Sequence, residues 1–135
     1  MAARPGPVIF SGMTFARLST IARQVVAAAQ RRLPAGVRTV AAAVPVCYEP
    51  HPSDAMLGED LEEDILGLFV GHEHGAELVG DQPMPPQILL FLDNIWDQAE
   101  GDLTAYHDEV RLTYLHELGH YLGWDEDEVA RRGLE

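Results

Sequence analysis

Three side chains near the carboxyl end of the sequence have the types and the spacing of a zinc site: His116, Glu117 and His120. Side chains four residues apart on a helix stack on one face about 5–6 Å apart, so both imidazoles can direct a nitrogen at one ion. Two imidazoles with an oxygen ligand suit Zn²⁺. Glu117 follows the first histidine directly and projects about 100° around the helix. It is predicted to lie beside the metal as the general base for a zinc-activated water.

The residues around this motif support its placement on a helix. Residues 102–122 have a helical pattern, with Asp102 as the predicted N-cap. Gly123 suits the left-handed conformation that ends a helix and reverses the chain. Three carboxylates follow it: Asp125, Glu126 and Asp127. The reversal would bring them back towards the metal, whereas the plainer alternative is a surface helix with two solvated histidines and an acidic tail.

The other elements must hold this helix in place. Apolar side chains at steps of three and four predict an amphipathic helix over residues 14–33. The rest of the pattern predicts a strand over 37–48, an exposed acidic loop over 49–64, strands over 65–70 and 88–92, and a loop over 71–86. Residues 1–12 are expected to be a disordered or extended segment, and residues 13–135 a single domain.

Residues 116–126, HELGHYLGWDE, resemble the extended H-E-x-x-H-x-x-G-x-x-(H/D/E) signature of zincin metallopeptidases. Nearly the whole chain after residue 12 is similar to the minimal zincin family of small bacterial zinc metallopeptidases, including the strands around Leu66–Phe69 and Gln87–Phe91. The resemblance implies an α+β fold in which a small mixed β-sheet is backed by an N-terminal helix and a long active-site helix carries the motif.

The resemblance also implies a site and an activity. The position three residues past Gly123 supplies the third ligand in zincins, and here it is Glu126. Family members of this size more often have Asp there, so Asp125 and Asp127 stay open as alternatives. The implied function is a zinc-dependent metallopeptidase that hydrolyses peptide bonds with Zn²⁺ as cofactor, Glu117 as base and a peptide or protein as substrate.

Two further parts of the site follow from the same mechanism. The tetrahedral oxyanion needs a donor beside the metal, and spacing cannot choose among Tyr106, His107 and Tyr121. In zincins the substrate pairs as an added strand along a sheet edge above the active-site helix. By resemblance the candidate strand is Ile88–Leu92, with a plain core strand as the equal alternative.

Composition limits the partners. The chain has 135 residues, which suits one domain, and a net charge of −13, which repels nucleic-acid phosphates and anionic lipid. We therefore expect no nucleic-acid or membrane partner, although residues 1–40 contain six arginines and no acid. A single cysteine, Cys47, excludes an internal disulfide. Without a signal peptide pattern, the expected compartment is the cytoplasm.

Two other function classes compete with the peptidase. One is a metal-dependent hydrolase of another class, such as a single-domain bacterial RNA-processing enzyme. Those enzymes normally use a third histidine, whereas this sequence offers acids after Gly123. The other is a non-catalytic zincin-like module that binds metal or a protein partner. Its support is the small size of the chain, which leaves few residues to line a deep specificity pocket.

Overall fold

The structure is a computed structural model, and it describes residues 13–57, 61–71 and 85–123. These residues form five helices and three strands. In chain order they are α1 (Phe15–Arg31), α2 (Ala35–Ala42), β1 (Val46–Glu49), α3 (Asp54–Leu57), β2 (Gly67–Val70), β3 (Gln87–Phe91), α4 (Leu92–Gln98) and α5 (Leu103–Tyr121). The predicted α+β class is confirmed. None of the described helices combines the length and the apolar character that crossing a membrane requires. The predicted disorder of residues 1–12 concerns a segment outside the described residues and stays a prediction.

Helix α1 confirms the amphipathic pattern predicted near the start of the chain. Thr14 caps the helix, and its hydroxyl oxygen accepts a hydrogen bond from the backbone N–H of Arg17 at 3.1 Å. The residues that α1 buries are Leu18, Ala22, Val26 and Ala29, which recur at steps of three and four. Two of the four are alanines, so the neighbouring helix α5 can lie close against this face.

The strand predicted over residues 37–48 was wrong in its first half. Residues 35–42 form helix α2, and the strand β1 starts only at Val46. A helical signal was present, because Val37, Val40, Ala41 and Val44 recur at steps of three and four. All four contact the core, either buried or packed against it. The high β propensity of valine, which favoured a strand, is overridden by this tertiary packing.

The sheet has the order β1-β3-β2, with β3 parallel to β1 and antiparallel to β2. The central strand β3 therefore has hydrogen-bonded neighbours on both sides, and Ile88 to Phe91 are all buried. The expectation that Ile88–Leu92 offers an open edge to substrate is wrong. The alternative, a core strand, is correct for residues 88–91, while Leu92 begins helix α4.

Helix α4 was not predicted, although Leu92, Ile95 and Ala99 have helical spacing and are all buried. It turns the chain from the central strand into α5, which packs against α1, α4, β2 and β3. Two tyrosines of α5 fix it to α1. The hydroxyl of Tyr106 donates to the carbonyl of Leu18 at 3.0 Å, and Gln30 Nε2 donates to the hydroxyl of Tyr114 at 3.0 Å.

The start of α5 depends on one side chain. Asp102 is the N-cap, and its carboxylate accepts a hydrogen bond from the backbone N–H of Ala105 at 2.8 Å. We expect Asp102→Ala to lower the free energy of unfolding by about 1 kcal/mol, because an N-terminal N–H of the helix loses its acceptor. Thermal unfolding checks this, with Asp102→Asn as the control that keeps an acceptor oxygen. Equal destabilisation by both variants would contradict the capping role.

Candidate metal centre

The carboxyl-terminal half of α5 presents two histidines from an otherwise buried segment. From Thr113 to Tyr121 every residue is buried except His116, which is half-buried, and His120, which is exposed. A surface helix would instead expose a broad polar face over two turns. The interpretation of the motif as a solvated surface helix is therefore wrong, since here solvent reaches little besides the two imidazoles.

The two imidazoles are directed at a common point. Their Nε2 atoms lie 3.0 Å apart, and the ring centroids lie 4.6 Å apart with the ring planes at 78°. Together with a carboxylate oxygen of Glu117, one donor atom from each of the three residues lies within 4.8 Å of the others. Local helix geometry produces this convergence, because the spacing of four residues stacks the rings on one face.

The donor set fits zinc. Nitrogen ligands at about 2.0–2.1 Å on a tetrahedral Zn²⁺ ion lie about 3.3 Å from each other. The observed 3.0 Å between the Nε2 atoms of His116 and His120 is close to that value. Two imidazole nitrogens with neighbouring carboxylate oxygen are also the ligand chemistry that Zn²⁺ takes up readily. A small separation of the rings would therefore suffice for both nitrogens to bind one ion.

Glu117 lies on a different side of the helix from the histidines and faces strand β2. Its side chain is only 9% exposed. Burial raises the pKa of its carboxyl above the ordinary value, while His120 and a hydrogen bond donated by the backbone N–H of Phe69 partly oppose that rise. A carboxylate held in a partly desolvated position is a stronger proton acceptor than one in bulk water, as general-base chemistry requires.

Strand β2 approaches this part of α5 unusually closely, a feature that the sequence prediction missed. A methyl group at Gly67 would lie 2.7 Å from Thr113 Cγ2 and 3.2 Å from Glu117 Cγ. Phe69, two residues further along β2 and therefore on the same face of the strand as Gly67, packs its ring against Tyr121 with centroids 5.5 Å apart. The available signal was the glycine inside an apolar run, which often marks close approach of another element.

The helix end expected at Gly123 is confirmed, whereas the chain reversal expected after it concerns residues beyond 123, outside the described part of the chain, and stays a prediction. Gly123 has a φ of +75°, and its backbone N–H donates to the carbonyl of His120 at 3.0 Å. Glycine adopts this left-handed conformation without the steric cost of a side chain. The predicted third ligand, Glu126, and its alternatives Asp125 and Asp127 lie outside the described residues, so that assignment stays a prediction.

The three candidates for the oxyanion donor separate clearly. Tyr106 is fully buried with its hydroxyl bound to the Leu18 carbonyl, and ten residues of helix place it about 15 Å from His116 along the axis. His107 is exposed but lies about as far away. Tyr121 is adjacent to His120 and packs on Phe69. Their distance from His116 therefore excludes Tyr106 and His107 as the oxyanion donor, and Tyr121 is the candidate that is left.

Cys47 has a structural role in the sheet. The thiol is half-buried in β1 and donates to Gln87 Oε1 on the neighbouring strand β3 at 3.2 Å. It lies on the sheet and not among the described residues of the candidate metal centre. The contact holds two adjacent strands together and gives no support to nucleophilic catalysis.

Comparison with known protein families gives a result that agrees with this geometry. A sequence model of the zincin-like metallopeptidase family matches residues 41–134. The matched region includes the whole sheet, α4 and α5 with both histidines and Glu117. A search of curated proteins gives no match to the chain. Because the family match covers more than half of the 135 residues, the chain belongs to the zincin-like metallopeptidase family.

Proposed function

We propose that this protein is a zinc-dependent peptidase that hydrolyses peptide bonds. The observation that carries the proposal is the convergence of His116 and His120, with Nε2 atoms 3.0 Å apart, beside the buried carboxylate of Glu117. Family membership supports the same activity. The arrangement supplies two nitrogen ligands and one neighbouring base from a single rigid helix.

Each residue has a proposed role. His116 and His120 hold the ion through their Nε2 atoms, and Glu126 is the proposed third protein ligand, with Asp125 and Asp127 as alternatives. When bound, Zn²⁺ supplies Lewis-acid chemistry that polarises the substrate carbonyl and makes water acidic enough to react near neutral pH. The two histidines must be neutral to bind, so acid weakens the site.

Glu117 moves the proton. Its carboxylate is proposed to take a proton from the attacking water and later to deliver that proton to the leaving amine. Burial favours this cycle, because it raises the pKa of the carboxyl above its ordinary value. A hydrogen bond from the Phe69 backbone N–H to this carboxylate partly opposes that rise in pKa.

Strand β2 replaces β3 as the proposed docking strand for the peptide. The N–H of Phe91 donates to the carbonyl of Leu66. In an antiparallel pair of strands every second residue bonds to the neighbouring strand, so Leu66, Leu68 and Val70 direct their N–H and C=O groups towards β3. Gly67 and Phe69 therefore direct theirs away from β3, and no described strand pairs with β2 on that side. The N–H of Phe69 is already bound to Glu117, so a peptide can add there through the N–H of Gly67 and the carbonyl oxygens of Gly67 and Phe69.

Zinc content and peptide hydrolysis test the proposal together. Purified full-length protein is expected to bind one equivalent of Zn²⁺ and to cleave members of a broad peptide library. A chelator should abolish cleavage, and added Zn²⁺ should restore it. A protein that binds no zinc, or binds it and cleaves no peptide, contradicts the proposal. Zinc binding without cleavage but with tight binding of a protein would favour a non-catalytic module, and salt-sensitive RNA binding would favour an RNA-processing enzyme.

A further inference from the structure

We propose that Gly67 is a positioning residue: the missing side chain on β2 lets α5 pass close enough for Glu117 to be held at the outer edge of that strand. The inference rests on the proposed function for its catalytic meaning. It concerns a residue that binds neither metal nor proton itself. The contacts around Gly67 carry the inference, and they come from both the helix and the sheet.

The space at Gly67 is filled from three sides. A Cβ atom there would lie 2.7 Å from Thr113 Cγ2, 3.2 Å from Glu117 Cγ and 3.2 Å from the carbonyl oxygen of Leu89. The Leu89 oxygen belongs to the central strand and cannot move without breaking the sheet. Thr113 is 8% exposed, and its branched side chain is stiff about its first torsion. An added methyl group would therefore displace α5 or the side chain of Glu117 from β2.

Gly67 is not required by its backbone conformation. The glycines with positive φ are Gly71, Gly101 and Gly123 among the described residues, and Gly67 is not one of them. Alanine can adopt the same φ and ψ at position 67 without strain. Glycine is therefore required at position 67 because helix α5 lies so close to it. The glycines with positive φ are instead required by their backbone conformation.

The close approach has a specific consequence for Glu117. The N–H of Phe69 points away from β3, to the side of β2 where a peptide is proposed to add, and it donates to the Glu117 carboxylate. The histidines lie on another side of the helix. A shift at Gly67 should therefore disturb the base and leave the two nitrogen ligands largely unchanged.

Amide hydrogen exchange tests the positioning directly in the full chain without added metal. In the parent, the Phe69 amide should be protected by Glu117, so Glu117→Ala should abolish its protection. Gly67→Ala should raise the Phe69 exchange rate towards that of Glu117→Ala, while the Leu68 amide, which faces β3, stays protected. Unchanged Phe69 exchange in either variant would overturn the proposal.

Rescue and a matched control separate positioning from general destabilisation. Thr113→Ser removes the methyl that the new side chain meets, so the double variant Gly67→Ala/Thr113→Ser should regain Phe69 protection. Gly36→Ala is the matched control, because nothing lies within 4 Å of a Cβ there, and it should behave as the parent. If Gly67→Ala does not fold, the Phe69 exchange rates of the double variant and of Glu117→Ala still test the proposal. Failure of the double variant to restore protection would overturn the proposal.

Kinetics add an arm that depends on the proposed function. Gly67→Ala is expected to lower kcat about 10- to 100-fold, because misplacement of a reacting group by about 1 Å costs that much. The Kd for Zn²⁺ should stay within about threefold of the parent, since the histidines are unaffected. Equal loss of zinc affinity and kcat would contradict a role specific to Glu117. If the parent cleaves no peptide, the proposed function fails, while the exchange results still decide where Glu117 is held.

Discussion

Glu117→Gln is expected to lower kcat for peptide hydrolysis by about 10²- to 10⁴-fold while the protein keeps its zinc. The amide has nearly the same shape as the carboxylate but cannot accept a proton from water. The side chain is 9% exposed and faces β2, so water cannot readily replace it as the base. The measurement is steady-state hydrolysis of a cleaved peptide alongside zinc stoichiometry by atomic absorption.

Folding should not explain that loss. Burial raises the pKa of the Glu117 carboxyl, so the ionised form is less favourable in the fold than in the unfolded chain. Its presence therefore lowers stability at pH values above its pKa in the folded protein, and the neutral glutamine should leave the melting temperature of the metal-free protein equal or higher. Glu109→Gln, on the same helix about 12 Å away along its axis, is the control and should keep full activity. Retained activity in Glu117→Gln would remove Glu117 from the mechanism.

His116→Ala and His120→Ala are each expected to weaken Zn²⁺ binding by more than about 100-fold. Loss of a residue that only supports a ligand already costs about 10- to 100-fold in metal affinity, so loss of a ligand should cost more. Zinc at 100 times its Kd should stabilise the parent by about 2.7 kcal/mol. Both variants should lose that stabilisation, measured as the rise in melting temperature with added Zn²⁺, and should lose hydrolysis with it.

The metal-free forms of these variants should fold normally, because neither histidine is part of the buried core. A change in stability within about 0.5 kcal/mol is expected for such positions. His107→Ala is the matched control, since His107 is an exposed histidine on the same helix. If His107→Ala weakened zinc binding as much as His116→Ala, the metal would have to bind elsewhere.

The parts of the site that depend on one helix could be predicted from the sequence. Asp102 caps α5, the histidines converge at a spacing of four, and Gly123 ends the helix with a φ of +75°. Each of these features is set by backbone geometry within a few residues. The rotation of Glu117 away from the histidines follows for the same reason.

The parts that depend on packing between distant segments could not be predicted in this way. Residues 37–42 were predicted as the first half of a strand and belong to helix α2 instead, because the apolar face of this helix packs against the core. Helix α4 was missed although it follows the central strand directly. The third ligand among Asp125, Glu126 and Asp127 stays a prediction, since it depends on the path of the chain after Gly123.

The sequence by itself therefore determined the chemistry of the candidate centre: two imidazoles and one carboxylate on consecutive turns of one helix. Only the tertiary structure decided which strand lies beside these three side chains. It places β3 between two strands and leaves β2 beside Glu117, and it brings Gly67 within contact distance of Thr113. The physical reason is that helix geometry is fixed by local hydrogen bonds, whereas strand order and the closeness of helix to sheet depend on side chains far apart in the chain.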